Sequence, residues 1–324
     1  MKQKKRITFS LVLMLLPLFL LLATLPDIQA DNKPIIVCTT SAVSSVVEEL
    51  LGDTAEVLVL VQPGLCPADF DMKPGYIDAI SNARVLFKQN IQGEFWLNGL
   101  LEAAGNSNLT VVAIPGVYNT PDGAKNYIRG VGGNLSQILN IDLGSKTSQL
   151  LNEIDNISSL MAGQSQTLDA AKVKVICMSW LKTFIESAGF TVVATFNPPE
   201  TLSAGDITSL IGTARNESVA LIIDNLQIDT EFGACIASEV EAEHVVLTNF
   251  PGAIPNTETL GDMLKYNTQQ LFNATITYQS VSAVKTEKIE LQNQLAIFQI
   301  TTSLTVVVAL FEAVLLYTKR KNKP

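Results

Sequence analysis

The chain predicts an α/β protein: two lobes, each a parallel sheet covered by helices, joined by a long connecting helix and followed by a C-terminal transmembrane helix. Three observations carry this. Short runs rich in Val and Ile alternate with amphipathic stretches over residues 35–120, the pattern of strand-helix units feeding a parallel sheet. The same alternation returns over 170–250 after a polar helical interlude. Residues 295–318 then form an apolar run of 24 residues, about 36 Å of helix against a hydrocarbon core of about 30 Å.

At the front, Lys2, Lys4, Lys5 and Arg6 precede the apolar stretch 7–25, and Ala30 offers a small residue for cleavage. This reads as an export signal over 1–30, with a retained N-terminal helix as the alternative; either puts residues 31–294 outside the membrane. The N-terminal lobe, 31–120, begins with the strand Ile35–Cys38 and the amphipathic helix Ser41–Leu51, stopped by Gly52. Strands at 57–61, 84–87 and 110–114 and helices at 76–81 and 95–104 complete it.

Residues 121–169 read as the connecting helix, entered at Pro121 and interrupted in its first third by Gly130, Gly132 and Gly133. The C-terminal lobe, 170–280, has strands at 173–177, 191–194, 221–224 and 244–247. Its helices fall at 180–188, 204–214, Glu231–Val240 and 260–271. Residues 281–294 are a polar helical stalk leading to the anchor at 295–318. The tail, 319–324, carries Lys319, Arg320, Lys321 and Lys323, which hold it in the cytoplasm by the positive-inside rule. Glu312 lies inside the apolar run, two turns from that basic tail, where it can snorkel or mark a helix contact.

Over residues 31–294 there are 14 Lys plus Arg against 29 Asp plus Glu, a net charge of −15. So acidic a body disfavours nucleic acid and anionic headgroups as partners and tolerates a cation; solubility alone also explains it. Sequons starting at Asn108, Asn134, Asn156, Asn216 and Asn273 fit a cell-surface glycoprotein. The cysteines Cys38, Cys66, Cys177 and Cys235 form no CxxC pair, so neither a zinc finger nor a dense disulfide framework is indicated. One histidine, no nucleophile elbow, no phosphate loop and no HExxH leave nothing to assemble a base and a nucleophile; no enzyme is expected.

Two lobes of this kind leave a cleft at the C-terminal ends of both sheets. The loops there resemble the metal-binding solute receptors of ABC importers for zinc and manganese. Ile36-Val37-Cys38-Thr39-Thr40-Ser41 is similar to the family's first strand and Thr-Thr-Ser turn. Pro63-Gly64-Leu65-Cys66-Pro67-Ala68-Asp69-Phe70 with Pro74 resembles its Pro-x-Gly, Asp-Pro-His-Asp-Tyr segment. Asn90, Glu94, Trp96 and Leu97, then Pro115-Gly116-Val117-Tyr118-Asn119-Thr120-Pro121, resemble the first-lobe rim and the lead-in to the connecting helix. Gly261-Asp262-Met263-Leu264-Lys265-Tyr266-Asn267 resembles the late helix. The resemblance implies a receptor that captures a metal ion or small solute and passes it to an ABC permease in the membrane.

Carried over position by position, the family's four ligands fall on Ala68, Gly116, Met178 and Thr248 or Asn249. None supplies the imidazole or carboxylate that zinc or manganese takes. Softer donors lie at the same loop mouths: Cys66, Cys177, Met178 and Cys38, with Met72 near. These suit Cu(I) or another soft ion. Equally, the cysteines can fill core space, or Cys38 and Cys66 can pair as a disulfide in an oxidising exterior. Asp69, Asp71 and Asp224 are oxygen donors for a cation, with Asp69 also placed to cap a turn. His244 reads as a surface or lightly buried imidazole. The expected function is a membrane-anchored receptor of an ABC importer, taking a soft metal, a metal complex or a small organic solute. The alternative is a receptor fold that has lost its ligand site and serves as a surface interaction protein.

Overall fold

The computed structural model describes residues 33–321; the export segment expected at 1–30 lies outside the described residues. The first sheet contains β1 (Ile35–Cys38), β2 (Glu56–Val59), β3 (Val85–Lys88) and β4 (Thr110–Ala113), all parallel and in the order β2-β1-β3-β4. The second repeats it with β5 (Lys174–Met178), β6 (Thr191–Phe196), β7 (Leu221–Asn225) and β8 (Glu243–Leu247) in the order β6-β5-β7-β8. In each lobe the chain reverses its winding between the first and third strands. The loops leaving those two strands therefore diverge and open a crevice at their C-terminal ends.

Strand alternation divides the first sheet's side chains between two cores. Val37 and Leu86 meet Ile80 of α2 (Pro74–Asn82) and Leu97 and Leu100 of α3 (Leu97–Ala104). Ile36, Cys38, Val85 and Phe87 face the other way, towards Val43, Val46, Val47 and Leu50 of α1 (Ser41–Leu51) and Tyr127, Ile128, Val131 and Leu135 of α4 (Pro121–Leu139). This second core runs without a break through Ile154, Ile157 and Met161 of α5 (Gly144–Thr167) into the second lobe, where it takes in Phe184, Ile222, Leu264 and Phe272. One apolar interior shared by both lobes resists wide hinge opening and leaves small sliding motions as the compliant mode.

The connecting segment is broken once, and not at its glycines. Gly130, Gly132 and Gly133 stay inside α4, and the break falls at Asn140, which caps that helix at φ 54°. Gly132 sits where α4 meets α5: a Cβ there would lie 2.8 Å from the Thr147 hydroxyl. Gly132 lets the two helices approach.

The second lobe adds α6 (Lys182–Ser187), α7 (Ala204–Glu217) and α8 (Glu231–Val240). Ser203 and Asp206 form a reciprocal capping box at the start of α7. The last helix, α9 (Leu260–Lys321), is continuous over 62 residues and about 93 Å. Late helix, stalk and apolar segment are one element. From Asp262 to Lys321 there is neither Gly nor Pro to break it. Early in α9, Asn267 exchanges two hydrogen bonds with the Thr248 backbone just past β8. Later, Gln279 reaches the Leu168 carbonyl and Lys285 pairs with Glu241, both ahead of strands β5 and β8. The helix thus runs antiparallel to the strands, from the cleft edge to the opposite edge. Over Leu260–Thr318 the helix is long enough and holds an exposed stretch apolar enough to cross a membrane.

Candidate ligand cleft

The first lobe's rim is organised around one buried carboxylate. Glu94 accepts hydrogen bonds from the backbone N–H groups of Gln89 (3.0 Å), Asn90 (2.6 Å) and Ile91 (3.2 Å), and from the Thr39 hydroxyl. Those donors arise because the chain turns sharply after β3, with Asn90 at φ 63°; an anion is the natural filler of such a nest. Thr40 donates to the Gln89 side chain at 2.6 Å, tying the β1 and β3 loops together. Trp96 donates to the Pro67 carbonyl at 2.8 Å and stacks on Phe70 at 3.8 Å. The loop that carries Cys66 and Ala68 is fastened by these aromatic contacts.

The second lobe's rim uses neutral groups. Gln227, just past β7, donates to the Thr248 hydroxyl (2.9 Å) and accepts from the Asn249 N–H (3.2 Å). The same Gln227 amide donates across the cleft to the Pro63 carbonyl at 3.0 Å. A second bridge runs from Asn119, at the end of the first lobe, to the Asn249 side chain (2.9 Å) and the Trp180 carbonyl (3.2 Å). Tyr118 lies over Phe250 with ring centroids 6.5 Å apart. Burial raises the Tyr118 phenol above its usual range, opposed by a bond to Gln89. The seam between the lobes is closed by amides, carbonyls and aromatic rings, with no ion pair among the described residues.

Each of the four sulfur donors has its own surroundings. Cys38 is fully buried; burial first, then Glu48, pushes its thiol well above the usual range. Cys177 is fully buried facing α6, its thiol pushed up to about 12 by burial and then by Glu186, with Lys182 opposing. Cys66 is half-buried at the seam; burial raises its thiol, aided by Asp69 and by Glu200 of the opposite lobe, against N–H donors at Ala68 and Asp69. Met178 turns its sulfur back onto its own turn, accepting from the Trp180 N–H at 3.3 Å. No three of the described His, Cys, Asp and Glu residues are grouped to hold a metal ion. The physical reason is strand parity: Cys38 shares a face with Ile36 and points into the core rather than out of the strand end. The Cys38–Cys66 disulfide, one of the alternatives the sequence leaves open, is not formed: both thiols are free.

The oxygen donors separate too. Asp69 and Asp71 are exposed, whereas Asp224 is buried beneath α8. Its Oδ2 lies 2.7 Å from His244 Nε2, and Gly233 leaves room for it: a Cβ there would lie 2.0 Å away. Its Oδ1 has no partner among the described residues. Burial raises the Asp224 carboxyl above its usual range, with the His244 bond opposing. The single histidine therefore serves a buried acid on the helix side of the sheet.

The family model described as the zinc-uptake complex component A, periplasmic (ZnuA), matches residues 36–274. The chain belongs to this family. Among solved structures, the fold is shared with a Mn-bound periplasmic metal binding protein from Candidatus Liberibacter asiaticus at 14% identity and TM-score 0.65, covering 75% of this chain and 100% of that one. A crystal structure of ZnuA matches at 20% identity and TM-score 0.63, with coverages of 75% and 100%. The periplasmic zinc binding protein TroA from Treponema pallidum matches at 16% and TM-score 0.66, with coverages of 75% and 99%. No curated protein matches. At these identities the structural likeness is one of fold.

Within the family frame, Ala68 is exposed on a short turn beside Cys66, and Gly116 has φ 119°. That is a backbone a side-chain-bearing ligand rarely adopts. Thr248 and Asn249 are already spent in the Gln227 and Asn119 network. The sequence reading missed Gln227, Asn119 and the Asp224–His244 pair. Position alone signalled the first two: Gln227 lies two residues past β7, and Asn119 directly precedes the cap of α4.

Proposed function

We propose that this chain is an importer-associated member of the zinc-uptake receptor family, held at the outer face of a membrane by residues 295–318, whose cleft closes without metal. In this reading it is an accessory or interaction subunit beside an ABC permease rather than a carrier of zinc or manganese. The observation that supports it is the seam: neutral bridges from Gln227 to Pro63 and from Asn119 to Asn249 join the two lobes directly, with no charged group in either bridge. Buried amide bonds of this kind favour closure at any metal concentration. The exposed, Gly-free and Pro-free apolar segment followed by Lys319, Arg320 and Lys321 supports the anchor.

The second reading is a receptor that carries a soft ion, with Cys66 as its leading donor. Family membership favours it, as does the half-buried Cys66 facing Glu200 across the cleft. Elemental analysis of the detergent-solubilised full chain, with thermal melts in Zn(II), Mn(II) and Cu(I), separates the two. The accessory reading expects well under one metal per chain and no shift in melting. One equivalent of copper that disappears in Cys66→Ser overturns it in favour of the soft-ion carrier.

A further inference from the structure

Below the body, α9 carries one continuous face at alternating spacings of three and four residues: Val281, Val284, Lys288, Leu291, Leu295 and Phe298. These are successive a and d positions of a coiled-coil heptad. The apolar members stand exposed on the helix, Val284 by 66% and Leu291 by 57%. A shallow groove there is lined by Val284, Glu287, Lys288, Leu291, Gln292 and Leu295, which are the a, d, e and g positions and no others.

The same register continues into the apolar segment without a stutter, as Thr302, Thr305, Ala309, Glu312 and Leu316. Its character changes there. Ile300, Leu304, Val307, Leu310 and Phe311 occupy other faces, while the a and d face holds small and polar residues through Glu312. In water, helices associate through apolar stripes; in lipid they associate through small and polar ones, because lipid solvates Leu as well as a neighbouring helix does. One face thus meets both requirements on either side of the membrane boundary.

We infer that α9 pairs in parallel with α9 of a second copy of this chain along this face. Charge complementarity selects a copy over an unlike helix: an a-position lysine in a parallel pair lies beside the preceding g position of its partner, so each Lys288 meets the other chain's Glu287. A lone polar a position also fixes register and favours two strands. The bodies do not obstruct the pair. Tyr278, Ser282 and Lys285 turn towards the body, and at 100° per residue the mean direction of Val284, Lys288 and Leu291 lies more than about 90° around the helix from each of them, Lys288 itself standing about 60° from Lys285. The parallel sense rests on the anchor reading above.

The test uses the full chain in lipid nanodiscs in a Cys66→Ser, Cys235→Ser background. Leu291→Cys should give a disulfide-linked species of doubled mass on mild oxidation, and Glu290→Cys, on the far face, should not. Lys288→Glu should weaken dimerisation about tenfold and Glu287→Lys with Lys288→Glu should restore it within about threefold, as ion pairs flanking a seam do. A monomer by mass, equal crosslinking at 290 and 291, or a dimer indifferent to the charge swap overturns the proposal. Extraction separates this from the anchor: release by high salt sinks the anchor reading, whereas a detergent-requiring monomer sinks only the pair.

Discussion

The two lobes share a strand order and opposite solutions for a buried acid. In the first, Glu94 sits at the cleft rim with donors from Thr39, Gln89, Asn90 and Ile91 converging on it. In the second, Asp224 sits under a helix with one oxygen on His244 and the other unpartnered. Saturated, a buried carboxylate organises a loop; half-satisfied, it costs stability. The difference also explains the rims: charge fixes the first lobe's loops, and neutral amides then close the second lobe onto them.

Glu94→Ala should cut deepest. It strands the Asn90 and Ile91 N–H groups and the Thr39 hydroxyl and leaves the Gln89 N–H only the Thr39 oxygen, and a loss of about 3–5 kcal/mol is expected in chemical denaturation. A loss below about 1 kcal/mol would mean that water replaces the carboxylate and the contrast between lobes fails. Gln227→Ala should cost about 1–2 kcal/mol and speed hydrogen exchange at Asn249 without affecting Gln89 or Asn90. Protection unchanged at Asn249 would show that the seam closes by packing alone.

Asp224→Asn should be the mildest and of opposite sign, a small gain in stability at neutral pH read from the denaturation midpoint. The sign follows from linkage. A carboxyl whose native pKa is raised binds its proton more tightly when folded, so its contribution is favourable at low pH and is lost as pH climbs from the unfolded to the native value. The variant should therefore match the parent near pH 3 and exceed it above the raised value. A variant less stable at every pH would make the His244 bond, rather than burial, the dominant influence.

Most of the fold is legible in the sequence because each strand is a short apolar run bounded by polar turns. Ser41–Leu51 and Glu231–Val240 fall where their periodicity puts them, and all eight strands appear within a few residues of expectation. The break at Asn140 is signalled only by an asparagine that can take the left-handed cap position, while the glycines ahead of it, which look like the breaks, stay helical. The site is less legible. Positions such as Ala68 and Gly116 show what is lost, but the replacement lies in Asn119, Gln227 and Asn249, neutral residues whose significance exists only when two distant loops meet. The direction of a cysteine is hidden for a related reason: a residue at a strand end points into the cleft or the core by parity, and Cys38 takes the core.

The unbroken α9 also sets a direction. It starts beside Thr248 at the cleft edge and leaves the body at Glu241, on the opposite edge. With residues 295–318 in a bilayer, the 35 residues from Leu260 to that boundary hold the cleft loops about 50 Å off the lipid surface and turn them outward. A partner in the same membrane has to rise to that height to reach the cleft, or the helix has to bend where no Gly or Pro invites it to.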